Sequence, residues 1–339
     1  MSNNSASLLH KRQSKIIGLT AGAVFLLVLA TASVLLGAQM FGFSNLWESY
    51  RHFDGSNEHL ILRTTRVPRV LVAAAVGACL AVAGAVMQVL TRNPLASPSV
   101  FGINAGASLF IVIGLVLYGS SLTMNSMIWI AFAGAMFVAV CVYAMAMRGS
   151  WFEPVKLTLA GAAMGAFASS ITSGLILINK QSLDTALFWM IGSVSGRKLE
   201  HLFAVAPYMA IGIGLALLLS NSLNIIMLGE DSARGLGQRV TLVRLLSSLA
   251  VVLLAGSSVS AAGPIAFVGL IVPHLCRSLI GQDHRWLLPC CAIYGAVLLV
   301  AADLAARFVL MPKEVPVGIA TAMLGVPFLV HAARRKEHD

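Results

Sequence analysis

The feature that most constrains this chain is a series of long apolar stretches almost empty of charge. They occupy 16–38, 70–91, 100–118, 127–147, 157–179, 202–220, 245–262, 265–280, 286–310 and 315–333, and only Arg277, Asp303 and Arg307 interrupt them. A bilayer core is about 30 Å thick and takes roughly 20 apolar residues to cross as a helix, which satisfies every backbone amide internally. The pattern predicts an all-α polytopic membrane protein with about ten transmembrane helices. Two boundaries carry no charge to mark them. One is placed at the polar stretch Gly119–Ser126, the other at Gly263-Pro264, where proline removes an amide donor.

Composition excludes the soluble alternative. Of 339 residues, 58% are hydrophobic and 11% charged, whereas a soluble domain carries about 25% charged residues. An even number of spans puts both termini on one side. Lys11, Arg12 and Lys15 at one end, with Arg334, Arg335 and Lys336 at the other, make that side cytoplasmic. Of the 23 Lys and Arg residues, 14 then fall inside and 9 outside, and Arg63, Arg66 and Arg69 form much of the outer excess. The first run, 23 residues without charge, exceeds the roughly 7–15 of a signal-peptide core, which favours a retained helix. The chain reads as one transmembrane domain over 1–339, with tails at 1–15 and 334–339 and its longest inner connection at 221–244. The longest outer connections are 39–69 and 180–200.

The net charge of +10 lies in gaps between runs and at the ends, as topology signals and headgroup contacts do. No strip of interleaved basic and aromatic residues suits nucleic acid. Cys79, Cys141, Cys276, Cys290 and Cys291 show no CxxC spacing, so they read as small apolar residues, with no disulfide or zinc site. His274 has no second ligand at i+4 and reads as structural; no metal site is expected. Catalytic residues are not expected either, since no His, Asp or Cys constellation gathers at one face.

A transporter needs an energy source. The phosphate-cradling GxxxxGK[ST] pattern is absent. Ion-coupled carriers place acids at mid-membrane, yet of 13 acidic residues only Asp303 lies in a run, with Arg307 four residues on as a helical ion-pair partner. An ion-coupled secondary transporter is therefore the weaker alternative. The chain reads as a passive gate driven from outside itself.

A set of blocks then follows in order: Arg66-Val-Pro-Arg69, Gly84-Ala-Val-Met-Gln88, Thr91-Arg-Asn-Pro-Leu-Ala-Ser-Pro98, Gly102-Ile-Asn-Ala-Gly106 and Gly229-Glu-Asp-Ser-Ala-Arg-Gly-Leu-Gly237. Gly263-Pro-Ile-Ala-Phe-Val-Gly-Leu-Ile-Val-Pro-His274, Asp283-His-Arg285, Ala302-Asp-Leu-Ala-Ala-Arg307, Pro316-Val-Gly318 and Gly325-Val-Pro327 complete it. Along nearly its whole length the chain resembles the type II ABC importer permeases for ferric siderophores, haem and cobalamin.

The resemblance implies a non-catalytic subunit in a bacterial cytoplasmic membrane. Its implied partners are two ATPase subunits, which bind the ATP and Mg, a second permease copy or paralogue, an external substrate-binding protein and the lipid bilayer. This chain itself needs no cofactor. Arg66, Arg69 and Arg307 could be snorkelling anchors; the resemblance implies that they receive glutamates of the binding protein, a task suited to bidentate guanidinium. Arg63 has no such counterpart. Gly229, Glu230, Asp231, Ser232, Ala233, Arg234, Gly235, Leu236 and Gly237 read as a short helix with acids in its first turn, which the helix dipole favours. Alone that is a solvated loop; the resemblance makes it the coupling segment seated in a groove of the ATPase. The fifth run holds Gly161-xxx-Gly165, an ordinary packing motif. The resemblance places Gly161, Gly165, Ser169, Thr172 and Ser173 on the translocation pathway. Arg92 to Pro98 reads as an inner turn. The stretches Thr91–Pro98 and His52-Phe-Asp54 look most like siderophore permeases, with haem and cobalamin left open.

Overall fold

The computed structural model describes residues 9, 11–37, 39–147, 153–178, 183–310 and 314–335. Helix α1 (Arg12–Leu35) is followed by the short α2 (Phe43–Arg51) and α3 (Asn57–Ile61). A single π-helical turn, Leu62–Arg66, joins α3 to α4 (Val67–Leu90). Next come α5 (Ile103–Tyr118), α6 (Met124–Ala146), α7 (Pro154–Ile178), α8 (Leu183–Ile191) and α9 (Leu199–Leu218). The inner segment holds α10 (Ser220–Met227) and α11 (Glu230–Gly235), and the chain closes with α12 (Val240–Ala262), α13 (Val268–Ile280), α14 (His284–Val309) and α15 (Val317–Arg335). No strand occurs among the described residues.

A helix covers each of the ten apolar runs. Among the described residues, seven helices are long and apolar enough to cross a membrane: Arg12–Leu35, Asn57–Leu90, Met124–Ala146, Pro154–Ile178, Leu199–Leu218, Val240–Ala262 and His284–Val309. Ile103–Tyr118, Val268–Ile280 and Val317–Val330 are shorter apolar helices. At about 1.5 Å per residue α5, with 16 residues, and α13, with 13, fall short of a full crossing. The cause is local. Pro98 turns the chain before α5 into a 3-10 segment, Pro98–Phe101, and Gly263-Pro264 breaks the ladder between α12 and α13.

The core runs along α4, whose apolar window is 78% buried, followed by α12 at 72% and α14 at 61%; α1 and α7 lie at the rim, at 11% and 17%. Small residues let α4 sit at the centre. A Cβ on Gly84 would stand 1.9 Å from the Gly269 carbonyl oxygen, and one on Gly77 2.2 Å from that of Gly295. Lipid tails are as apolar as leucine, so close backbone approach of this kind, and not solvent exclusion, drives helix pairing.

One element departs from expectation. Residues 180–200 read as an outer connection, but Leu183–Ile191 forms the half-helix α8. It ends at Gly192, whose φ of 79° a side chain would resist. There the Gly192 carbonyl accepts from Gly318 N–H at 3.1 Å and Ser193 N–H donates to Ala262 at 2.7 Å. Three breaks in regular helix, after α8, after α12 and before α15, thus satisfy one another's backbone groups away from lipid.

Candidate functional site

The expected docking arginines gather at one end of α4 and α14. Arg69 lies in the first turn of α4 behind Pro68, and is 5% exposed. Its Nε stands 3.0 Å from both carboxylate oxygens of Asp303 and its Nη2 2.8 Å from Oδ1. Asp303 is 1% exposed and also accepts from Nε of Arg307 at 3.2 Å, with a second bond from Arg307 Nη2. Arg307, 4% exposed, donates further to the Ser33 carbonyl at 2.7 Å and to Ser33 Oγ at 3.1 Å. One carboxylate is therefore shared by two buried guanidiniums, and the cluster ties α1, α4 and α14 together. The expected Asp303–Arg307 pair is present; the second partner, 234 positions away, is an addition of the fold.

Toward the surface the cluster continues. Glu314, between α14 and α15 and 43% exposed in its side chain, accepts from Arg69 Nη1 at 2.6 Å and from Ser195 Oγ at 3.1 Å. Partial burial pushes its carboxyl up, but the hydrogen bond and charge of Arg69, with Ser195, outweigh this and hold it below the usual carboxylate range. Arg66 is half-buried; it donates to the carbonyls of Leu36 and, at 3.1 Å, Gln39, and lies over the Phe41 ring. Arg63 stacks between Tyr50 and Phe53, 5.1 and 4.9 Å from the ring centres, which accounts for a position the sequence left without a role. Arg69 and Arg307 thus do not project freely from the surface, because each already has a carboxylate partner within the chain, and Arg307 the Ser33 carbonyl as well.

At the opposite end, α10 and α11 form an exposed corner. Gly229 (φ 114°) and Gly237 (φ 77°) bracket α11 as the sequence suggests, and Ala233 is fully buried against the bundle. Glu230 bonds Arg234 at 2.8 Å one turn on and Arg244 of α12 at 2.9 Å, which anchors the first turn. Asp231, Ser232, Arg234, Gly235, Leu236 and Gly237 face outward, and Leu236 with Leu228 leaves two-thirds of an apolar side chain uncovered. A Cβ on Gly235 would meet nothing within 4 Å. This is open, partly apolar, small-residue surface.

Between the two ends a cavity of about 680 Å³ opens between α5, α7 and α8, with Pro264 at its wall. Ser169, Thr172 and Ser173 line it, with Asn104, Ser108, Leu187 and Met190 that sequence inspection missed. Thr172 and Ser173 return their hydroxyls to carbonyls of their own helix, Ala168 at 2.8 Å and Ser169 at 2.9 Å, so the wall is small and weakly polar. Gly161 is elsewhere: its missing Cβ makes room for the Val100 carbonyl, 1.6 Å from where the atom would be. A Cβ on Gly165 would meet nothing within 4 Å, and Gly165 is not among the lining residues. Both glycines present their backbone to Gly102, whose Cβ would stand 3.8 Å from the Gly161 carbonyl oxygen and 3.9 Å from the Gly165 nitrogen. Arg92 to Pro98 forms the expected turn, with Asn93 Oδ1 accepting from Leu95 N–H at 3.0 Å. His274 is exposed, edge-on to Phe328, and not enclosed in the core. Cys79, Cys276, Cys290 and Cys291 are buried free thiols and Cys141 is half-buried. No group of three or more His, Cys, Asp or Glu residues suited to a metal occurs among the described residues.

Known proteins share this organisation from end to end. YfiZ of Bacillus subtilis (strain 168), named as a siderophore transport system permease protein, is 47% identical over 326 residues, 96% of this chain and 98% of its own. The ferric enterobactin transport system permease protein FepD of Escherichia coli (strain K12) is 41% identical over 317 residues, 93% of this chain and 94% of its own. Among solved structures, a metal-chelate type ABC transporter in an inward-facing conformation superposes with a TM-score of 0.83 at 26% identity, covering 94% of this chain and 98% of that one. The FecCD transport family profile matches residues 14–335, which takes in the arginine cluster, the cavity and the exposed inner corner alike, and the chain belongs to that family.

Proposed function

We propose that this chain is the membrane permease of an ABC importer that carries a ferric siderophore across the cytoplasmic membrane. The observation that supports it is the continuity of the family match over 14–335 together with the fold shared with a metal-chelate transporter. In this reading ten spans leave both termini cytoplasmic, the α10–α11 corner seats in one of two ATPase subunits, and a second permease completes the pathway. The cavity beside α7 offers hydroxyls already bonded within their helix, so a bulky chelate meets no deep site there. Asp303, held by two arginines, has no free carboxylate with which to couple proton or cation movement, which disfavours an ion-driven carrier.

The outer end suggests how an external binding protein engages. Arg66, half-buried, is the least buried of the three arginines, while Glu314 occupies Arg69. Docking then proceeds by exchange: a carboxylate of the binding protein takes the place of Glu314 on Arg69, with Arg307 holding Asp303 in register. The test is uptake into proteoliposomes that contain this chain, its ATPase and its partner permease, with the binding protein and radio-iron siderophore outside. ATP-dependent uptake that requires the binding protein is expected. Uptake without any ATPase would overturn the reading, and uptake of haem or cobalamin instead would move the substrate.

A further inference from the structure

The α10–α11 corner has polar ties to two helices of the membrane domain: Glu230 holds Arg244 of α12, and α10 holds the start of α14. The Asn224 side chain of α10 reaches the first turn of α14 and makes three bonds there. Its Nδ2 donates to Asp283 Oδ1 at 2.7 Å, and its Oδ1 accepts from His284 N–H at 2.9 Å and from the His284 ring at Nδ1, 2.7 Å away. The acceptor on Asn224 requires the Nδ1–H tautomer. His284 is fully buried, and its other ring nitrogen has no partner among the described residues. Asp283 also caps α14 by accepting from Arg285 N–H at 3.0 Å, and Arg285 bonds Asn221 on the same face of α10. Gln238, past α11, donates back to the Ser222 carbonyl at 3.1 Å, closing the corner into one compact piece.

Helix α14 then runs about 28 Å from His284 to Asp303. Along the way it meets α4 backbone to backbone at Gly295 and Gly77, a contact with no side chain to yield. At the far end Asp303 holds Arg69 of α4 and Arg307. Both ends of the molecule therefore hang on one pair of rigid helices, and Asn224 is where the exposed corner grips them.

We infer that Asn224 is a positioning residue that passes displacement of the α10–α11 corner to α14, and through α14 and α4 to the arginine cluster. This rests on the proposed function for what loads each end. By linkage, whatever seats at the corner must then alter affinity at the cluster, and the reverse.

The experiment uses the assembled transporter in nanodiscs and measures binding-protein affinity without nucleotide and with a non-hydrolysable ATP analogue. The ratio of the two affinities is the coupling, expected to be on the order of tenfold for the unaltered chain. Asn224→Asp sets a second carboxylate against Asp283 and is expected to bring the ratio close to one. The double exchange Asn224→Asp with Asp283→Asn lets the amide at 283 donate to the carboxylate at 224, which still accepts from His284, while the Arg285 N–H that shared Asp283 Oδ1 loses that acceptor; the ratio is expected to recover to within about threefold of its original value. A purely structural cap would change melting temperature and leave the ratio alone. An unchanged ratio in Asn224→Asp, or an assembled double variant that stays uncoupled, overturns the inference. Should Asn224→Asp not assemble, the double variant alone decides. If the unaltered transporter shows no nucleotide-dependent docking, the proposed function itself fails first.

Discussion

The two ends of this molecule treat charge in opposite ways. At the end that carries Arg69, three ionic side chains are buried to 5% exposure or less and answer one another across α4 and α14. At the end that carries α11, Asp231 and Arg234 face outward, while Glu230 reaches back to the bundle through Arg244. The first arrangement resists change, because removing one member leaves an uncompensated charge in a low-dielectric site. The second is free to accept a partner. A surface offered to another protein need not be the one where charges are most concentrated.

The contrast is sharpest if the buried end fails when touched. Asp303→Asn leaves two guanidiniums without their shared carboxylate, and a loss of about 3–5 kcal/mol is expected, read as a large drop in the melting temperature of the purified protein. Arg69→Glu is expected to be at least as damaging, since it sets a carboxylate against Asp303.

Next in size is a paired test of glycines. Gly84→Val forces α4 from the Gly269 backbone and is expected to cost about 1–3 kcal/mol or more. Gly235→Trp meets open space, so melting should be unchanged while ATP-driven uptake falls by about tenfold, or 1.4 kcal/mol. Equal melting losses in both variants would erase the distinction between the ends.

Arg66→Glu probes the outer surface without breaking the cluster. It is expected to fold and to weaken binding-protein association mainly through the on-rate, with a reduced salt dependence, as reversal of a rim charge does. The smallest effect is expected at Glu314. Glu314→Gln frees Arg69 Nη1 and should tighten docking by up to about fivefold, the scale of a half-exposed ion pair. Because its carboxyl is held below the ordinary 4.5, the Glu314–Arg69 contact is complete above that value and is lost only as pH falls through the lowered one. Docking affinity should therefore show no Glu314-linked change between pH 6 and 8; a change there would assign the titration to another group.

The run-by-run placement of helices was legible because length and apolarity act locally, and each of the ten runs coincides with a helix. So were the breaks at Gly119–Ser126, where a polar stretch separates α5 from α6, and at Gly263-Pro264, where proline removes an amide donor. The i,i+4 spacing of Asp303 and Arg307 gave their pair, and the acids of 230 and 231 gave the start of α11. What escaped was short or distant. Helix α8 is 9 residues long, too brief to read as a span, and owes its place to backbone bonds at Gly192. Asn104, Leu187 and Met190 carry no chemical signal of a cavity wall.

The sequence by itself determined that this chain lives in lipid as helices, and where most of them begin and end, since those outcomes depend on the solvent and on neighbours within a few turns. Only the tertiary structure decided which charges are exposed. Asp303 could be read as a partner for Arg307 four residues away, but its hold on Arg69, and that of Asn224 on the start of α14, join residues 234 and 60 positions apart. Such contacts exist only after backbones at Gly77, Gly84, Gly269 and Gly295 have closed to distances no side chain would permit.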